Sequence, residues 1–565
     1  MKVSFVFAAV VTAAQSASAT YSKCRYLPGD SYWPSKKSWA LLNSTVGGNL
    51  VATEPIGSPC HDPTYDAEAC AALQAQWRNP LTHIPSSSSV MQTYFANQSC
   101  DPFTDRSLPC TLGNYVSYAV DVKKNADVAA ALLFAKAYNI RVVIRNTGHD
   151  FLGRSTGAGA LAIWTQSLKS IDFSEWSDDY YEGPAVTIGA GVVGYEVLEA
   201  ANAKGLTVVN GECATVGLAG GFTQGGGHSA LSSEFGLGAD QTLAFTVVTA
   251  DGRTVVASPT NNADLYWALS GGGGGTFGVV VSMTVRAYKS QSVGGAAFQL
   301  LASTTTPEKF RAVVSKFYEL LPAMIDKGAM VVFTNNAQML VVKPLTQWNS
   351  TAAYVRDVVF APFTAAVKEI GVILPVAYSE LAYRDHYNRY MGPLPQGSVE
   401  VARYQFGGRL IPRSVLDNNN QDFQDAVNNL TANGVIAVGS AAKYTKAEGS
   451  AANSVHPAWR SAVMQLQLVT IWDDTKSWDN MEAAQRKMTE EFMPLIEKVT
   501  PGSGAYMNEA DFRQPNWQKT FFGDNYAKLL TIKRKYDPGN LFYVLKGVGS
   551  EAWSVAENGR MCRVG

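Results

Sequence analysis

Clustered glycine constrains this chain more than any other feature. Gly211-Glu212-Cys213-Ala214-Thr215-Val216-Gly217 is followed by Gly220-Gly221, Gly225-Gly226-Gly227-His228 and Gly236-Leu237-Gly238-Ala239-Asp240, and Gly271 to Gly275 runs into Thr276-Phe277-Gly278-Val279-Val280. A residue without a side chain lets its backbone approach a neighbour closely, so this density implies that something large lies against the main chain. A flexible linker does not fit, because Val, Leu and Phe are interleaved where Gly/Ser linkers carry no packing residues. The 49 glycines also lack the triplet period of a collagen.

At 565 residues the chain is too long for one core, which points to two or three domains. Its 46 Lys plus Arg nearly balance 47 Asp plus Glu, and a formal charge of -1 offers no basic surface for nucleic acid. With 46% hydrophobic and 11% aromatic residues it can bury large cores, which excludes a disordered chain. Lys2, the apolar run Val3 to Ala14 and the small-residue site Ala17-Ser18-Ala19 read as a secretory signal over residues 1–19. That run is too short to span a bilayer and no later one is long enough, so a soluble, secreted protein without a membrane partner is expected. Asn-x-Ser/Thr acceptors at Asn43, Asn97, Asn349 and Asn429 agree with that route.

Seven cysteines in an oxidising compartment leave an odd thiol. Cys213 stands apart inside the glycine region, whereas Cys24, Cys60, Cys70, Cys100 and Cys110 crowd the first 110 residues and Cys562 ends the chain. If those six pair among themselves, parity joins Cys562 to an N-terminal partner.

Residues 20–110, rich in Pro, Ser and Cys, read as a loop-rich extension. A helix capped by Asn125, with Val128, Ala131, Leu132 and Ala135 on one face, precedes a strand from Arg141 to Arg145. The strand Ala185 to Ile188, a helix near Tyr195 to Lys204 and the strand Leu206 to Val209 follow, giving α+β or α/β character. Ala244 to Val248, Asp251-Gly252 and Thr254 to Val256 form a hairpin signal. Residues 291–495, including the segments Glu308 to Leu321 and Ala462 to Ile471, read as a second domain, and residues 496–565 as a polar, aromatic C-terminal segment.

Arg145-Asn146-Thr147-Gly148-His149-Asp150, continuing to Gly153-Arg154-Ser155, sets small residues just after a strand, where successive amides can face a diphosphate. Gly189-Ala190-Gly191-Val192-Val193-Gly194, with Glu212 beyond the next strand, also satisfies the spacing of a nicotinamide dinucleotide fingerprint. We set that match aside, since it lies far from the chain start and a secreted enzyme has no pool in which to recycle a diffusible nicotinamide.

Together these residues resemble the vanillyl-alcohol-oxidase-type (PCMH-type) flavoproteins, and within them the secreted fungal berberine-bridge-enzyme-like oxidases. The likeness covers roughly residues 111–290 and 500–548 and implies an α+β fold. In it, a PCMH-type FAD-binding domain of two chain segments, 111–290 and 496–565, flanks an inserted α+β substrate domain with an antiparallel sheet covered by helices. The resemblance implies that the loop Arg145, Asn146, Thr147, Gly148, His149 and Asp150 holds the FAD diphosphate, and that FAD is bicovalent, through His149 at 8α and Cys213 at C6. Gly217, Gly221, Gly278 and Val280 would line the dinucleotide, and Tyr506 and Asn508 would reach the flavin. Val216, three residues after the cysteine, stands where valine goes with oxidases, which implies reoxidation by O2 to hydrogen peroxide. The chemistry is consistent: a neutral imidazole can add at the 8α carbon, and a thiolate at C6 if its pKa is lowered locally.

Many relatives carry Tyr-x-Asn-Tyr where this chain reads Tyr506-Met507-Asn508-Glu509, so Glu509 is the expected base, its pKa raised by an apolar flavin face. Tyr404 and Gln467 are further candidates in the substrate cavity, although alternation alone does not tell which face they occupy. The six scattered histidines, His386 and His456 among them, show no metal spacing, and no catalytic metal is expected. An alcohol, including a secondary metabolite, is the first substrate class; an oligosaccharide oxidised at its anomeric carbon is the second. A flavin-fold protein that has lost catalysis is the reading of another class. Oligomeric state is not legible.

Overall fold

The computed structural model describes residues 23–446 and 448–564; the secretory signal expected at 1–19 lies outside them. A four-stranded sheet runs in the order Leu50–Ala52, Tyr118–Asp121, Leu161–Trp164, Val142–Arg145, with the last three parallel. Helix Asn125–Ala137 covers it, burying Val128, Ala131, Leu132 and Ala135 completely, as the periodicity requires. Its cap differs from expectation. Asn125 is the first helical residue, and the Asp127 carboxylate accepts the amides of Lys123 and Lys124 instead, placing a negative charge at the helix start.

Beside it lies an antiparallel sheet of five strands in the order Ile171–Ser177, Glu182–Gly189, Val279–Arg286, Thr242–Val248, Thr254–Ala257, the last two forming the expected hairpin. Leu206 and Thr207 pair with Tyr288 and Lys289, so the strand expected through Val209 is shorter. Glu182–Gly189 pairs only antiparallel, with Ile171–Ser177 and Val279–Arg286. The Gly189–Gly194 segment is therefore not the turn of a parallel βαβ unit, which its nicotinamide reading needs.

Seven antiparallel strands form the second sheet: Ala377–Ala382, Ser292–Leu301, Met339–Trp348, Met330–Asn335, Ile436–Ala441, Ala462–Ile471 and Tyr404–Pro412. Period-two alternation divides its faces. Val331, Phe333, Ala437, Leu466 and Leu468 join a core beneath helices Pro307–Asp326, Asn420–Ala432 and Met493–Val499. Val332, Thr334, Ile436, Val438, Gln467 and Val469 face the other way, into a cavity.

Residues 20–110 hold more regular structure than their composition suggests. Lys36–Thr45 and Ala67–Gln76 are helices because Ser35 and Asp66 cap them through side-chain oxygens, and Leu50–Ala52 joins the first sheet. Disulfides Cys60–Cys70 and Cys100–Cys110 close short loops there, and Cys24–Cys562 joins the two ends, leaving Cys213 free as parity predicts. Because 538 residues separate Cys24 from Cys562, this bond restrains the unfolded chain strongly. Cys562→Ser should lower stability by about 2–5 kcal/mol, read as a fall in the denaturation midpoint.

Candidate functional site

Strand Val142–Arg145 delivers the loop Asn146–Ser155 to the junction of the sheets. The Asn146 amide donates to the Ala190 carbonyl at 2.6 Å and its own carbonyl accepts the Trp164 indole N–H at 3.1 Å. Asp150 folds the loop on itself by accepting the amides of Leu152, Arg154 and Ser155. Arg154 ties the loop to the C-terminal segment through the carbonyls of Leu545 and Lys546. Arg145 is the one expected cofactor residue outside the cavity wall; fully buried, its guanidinium donates to the Ser86 carbonyl behind the loop.

The cavity measures about 740 Å³ and is lined by every other expected site residue: Asn146, Thr147, Gly148, His149, Asp150, Cys213, Val216, Gly217, Gly221, Gly278, Val280, Tyr404, Gln467, Tyr506, Asn508 and Glu509. At one end His149 Nε2 lies 2.7 Å from the Thr215 hydroxyl and 4.0 Å from Cys213 Sγ, and Thr215 lies 3.5 Å from that sulfur. Burial, then the neighbouring His83, push the His149 imidazole down to about 3, so the ring is neutral at any working pH. Burial pushes the Cys213 thiol up, against the local lowering that its proposed chemistry invites. A thiol proton must therefore leave before the sulfur can react, and Thr215 and His149 are the groups within reach.

Glycine serves two purposes here. Gly211, Gly227 and Gly238 make room for the protein itself, since a Cβ at each would lie 2.8–3.0 Å from the Phe222 ring. Gly189 and Gly191 similarly abut the Leu168 and Gln166 carbonyls, while Gly194 N donates to the Val216 carbonyl and braces the Cys213 loop. Gly220 and Gly221 differ: the nearest atoms to their Cβ positions are 3.5 and 3.9 Å away, so these two open onto the cavity.

From the C-terminal segment, Asn508 donates to the Gly221 carbonyl at 2.6 Å and to the Tyr506 hydroxyl at 2.8 Å. Glu509 meets an imidazole. Both its oxygens lie 3.0–3.1 Å from His228 Nε2, and the opposite ring nitrogen stands 3.4 Å from Glu212 Oε1. Burial pulls the His228 imidazole down, but charge and hydrogen bonding from Glu509 and Glu212 outweigh it and lift it to about 10. The histidine is thus a cation held between carboxylates. The sequence offers Thr215 and His228 only as members of the glycine segment and Glu212 only there and in the nicotinamide-like spacing, and it gives no sign of Phe151 and Phe406; the last two rings stack at 3.7 Å between the loop and the second sheet. A histidine ending a glycine run is the one signal that pointed to His228.

An extended, glycine-opened cavity with a neutral imidazole and a free thiol side by side fits a large electrophilic prosthetic group. Two buried wall atoms, Asn146 Oδ1 and Gln224 Oε1, still lack hydrogen-bond partners and suit the donors of such a group. Arrangement and fold define a flavin-dependent oxidoreductase.

Comparison with known proteins agrees. The FAD binding domain family matches residues 116–258, and the family described as berberine and berberine like matches residues 505–549. The FAD-linked oxidoreductase ZEB1 of Gibberella zeae is 52% identical over 96% of this chain and 95% of its own. Among solved structures, the VAO-type flavoprotein MtVAO615 of Myceliophthora thermophila C1 superposes with a TM-score of 0.93 at 43% identity, covering 96% of this chain and all of that one. Glucooligosaccharide oxidase of Acremonium strictum, described with a 6-S-cysteinyl, 8α-N1-histidyl FAD, shares the fold at a TM-score of 0.63 and 22% identity, over 77% of this chain and 92% of its own. The chain belongs to the VAO-type, berberine-like FAD-linked oxidoreductases.

Two glycines separate packing from cofactor access. A Cβ at Gly408 would lie 2.0 Å from the Glu509 carbonyl oxygen, so Gly408→Ala should cost about 1–3 kcal/mol in denaturant unfolding by displacing the Glu509 turn. Gly221→Ala meets only Asn508, at 3.9 Å, and should hold stability within about 0.5 kcal/mol while reducing the flavin content of the purified protein.

Proposed function

We propose that this protein is a secreted oxidase that converts an apolar alcohol to its carbonyl product, with FAD attached through both His149 and Cys213 and O2 as the acceptor. The observation that carries the attachment is the 4.0 Å approach of a neutral His149 to a free Cys213 on one cavity wall. Bound FAD would accept the carbon-bound hydrogen as hydride and pass its electrons to O2, releasing hydrogen peroxide.

The chain's own residues divide the remaining work. His149 offers a lone pair because burial keeps it unprotonated. Thr215, bridging His149 and Cys213, orients both and offers a path for the thiol proton. Asn146, Gly220 and Gly221 shape the dinucleotide end, and Arg154 is the half-buried cation on the same wall. Glu509, reaching the cavity beside His228, receives the substrate's hydroxyl proton. Val216 lies on the wall next to Cys213, where valine leaves room for O2.

The second sheet supports the choice of substrate class. Its cavity face offers Val332, Met339, Pro344, Ile436, Val438 and Val469, with Phe406 stacked on Phe151, and a smaller set of polar groups: Thr334, Lys343, Tyr404, Ser440 and Gln467. That surface favours an apolar or aromatic alcohol over a polyol, supporting the first substrate class over an oligosaccharide. Secretion is supported by the N-terminal signal and by the exposed acceptors Asn97, Asn349 and Asn429.

A peroxide-release screen over benzyl alcohol, long-chain primary alcohols and cello-oligosaccharides tests the reading. Alcohols should reduce the flavin and release peroxide, and a panel that leaves it oxidised would favour a non-catalytic binding protein. With an active alcohol, Val216→Leu should slow peroxide formation at least about tenfold while dye-linked oxidation persists; equal loss of both would remove O2 gating from the account.

A further inference from the structure

Glu212, His228 and Glu509 come from separate segments, and Glu509 lies 281 residues beyond the histidine it touches. We propose that the three act as one proton-accepting unit for the alcohol: Glu509 is the catalytic base, His228 is a positioning residue that holds both Glu509 oxygens, and Glu212 stands at the opposite edge of the ring. The inference rests on the oxidase reading and names how its site handles the proton.

Geometry favours a shared role over a lone carboxylate. His228 Nε2 lies 3.1 and 3.0 Å from the two Glu509 oxygens, which centres the carboxylate on that nitrogen, and the His228 side chain is only 8% exposed. The three groups do not converge on a point where a cation could sit, because the ring stands between the carboxylates, and among the described residues no group of three or more His, Cys, Asp and Glu could hold a metal. All three line the cavity. In the step, the substrate O–H bond breaks, a Glu509 O–H bond forms, and the substrate oxygen keeps the electron pair. Other titratable neighbours do not compete for this proton. Tyr506, edge-on to the His228 ring at 5.5 Å, and Tyr383, Tyr444 and Cys213 nearby all have pKa values pushed up by burial and hold their own protons.

The unit also stabilises the fold with a defined pH signature. A histidine lifted from 6.5 to about 10 contributes stability that is complete below the lower value and is lost as pH rises through the higher one. The holoenzymes of wild type, His228→Gln, Glu212→Gln and Glu509→Gln are compared by thermal midpoint against pH and by turnover of benzyl alcohol. The midpoint advantage of wild type over His228→Gln should shrink steadily across that window, and Glu212→Gln and Glu509→Gln should each narrow the window. His228→Gln should lower kcat by about 10–100-fold with KM within about twofold and move the acid limb of the pH profile, while Glu509→Gln loses about 10²–10⁴-fold. A pH-independent midpoint gap, or a His228→Gln enzyme with unchanged kcat and pH profile, overturns the proposal. Should His228→Gln fold poorly, Glu212→Gln carries the same test, with an unnarrowed window as the contradicting result. Absence of flavin from the wild type would instead sink the oxidase reading, and the midpoint curves would still decide whether the three groups titrate together.

Discussion

Everything at this site depends on one close approach: the turn carrying Tyr506, Asn508 and Glu509 lies directly against the glycine segment 220–228 and against Gly408 of the second sheet. The Asn508 amide caps the Gly221 carbonyl, and its atoms occupy the space a Cβ at Gly225 would fill, 2.4–2.7 Å away. The Glu509 backbone occupies the corresponding space at Gly408. Side chains at those positions would hold the C-terminal segment off, and Glu509 would not reach His228. Behind the turn, Lys533 and Asp537 form a fully buried pair whose ammonium also donates to the Thr276 and Phe542 carbonyls, which locks the same segment to the second glycine cluster. The pair is fully hydrogen-bonded, as a buried charge pair requires.

From that contact follow the protonation states that make the cavity reactive. Burial leaves His149 neutral and Cys213 protonated, whereas the neighbouring carboxylates keep His228 charged. One cavity thus holds a neutral imidazole, a protonated thiol and a charged imidazole, each state set by its neighbours rather than by its residue type. The aliphatic face of the second sheet completes the chamber.

Much of this was legible from sequence because it is local. Helix Asn125–Ala137 and the hairpin of Thr242–Val248 with Thr254–Ala257 follow from apolar spacing and a turn pair, and Cys213 follows from parity. Resemblance placed the flavin loop and the C-terminal return. What sequence could not show is contact at long range. Which glycines serve Phe222 and which serve the cofactor depends on a ring packed between three segments. The face occupied by Gln467 became readable only once its neighbours Leu466 and Leu468 were seen in the helix-covered core. His228 escaped notice because its partners lie far along the chain or on another turn of the same segment. The caps at Ser35 and Asp66 lie in a stretch whose Pro- and Cys-rich composition suggested loops.

The central claim is that the glycine-opened cavity holds FAD bonded to the chain. Acid-denaturing the purified protein, digesting it and reading the visible absorbance and mass of its peptides tests this most directly. The account predicts a single yellow, cross-linked species in which the peptides bearing His149 and Cys213 are joined through one flavin. Colourless peptides at their unmodified masses would contradict it.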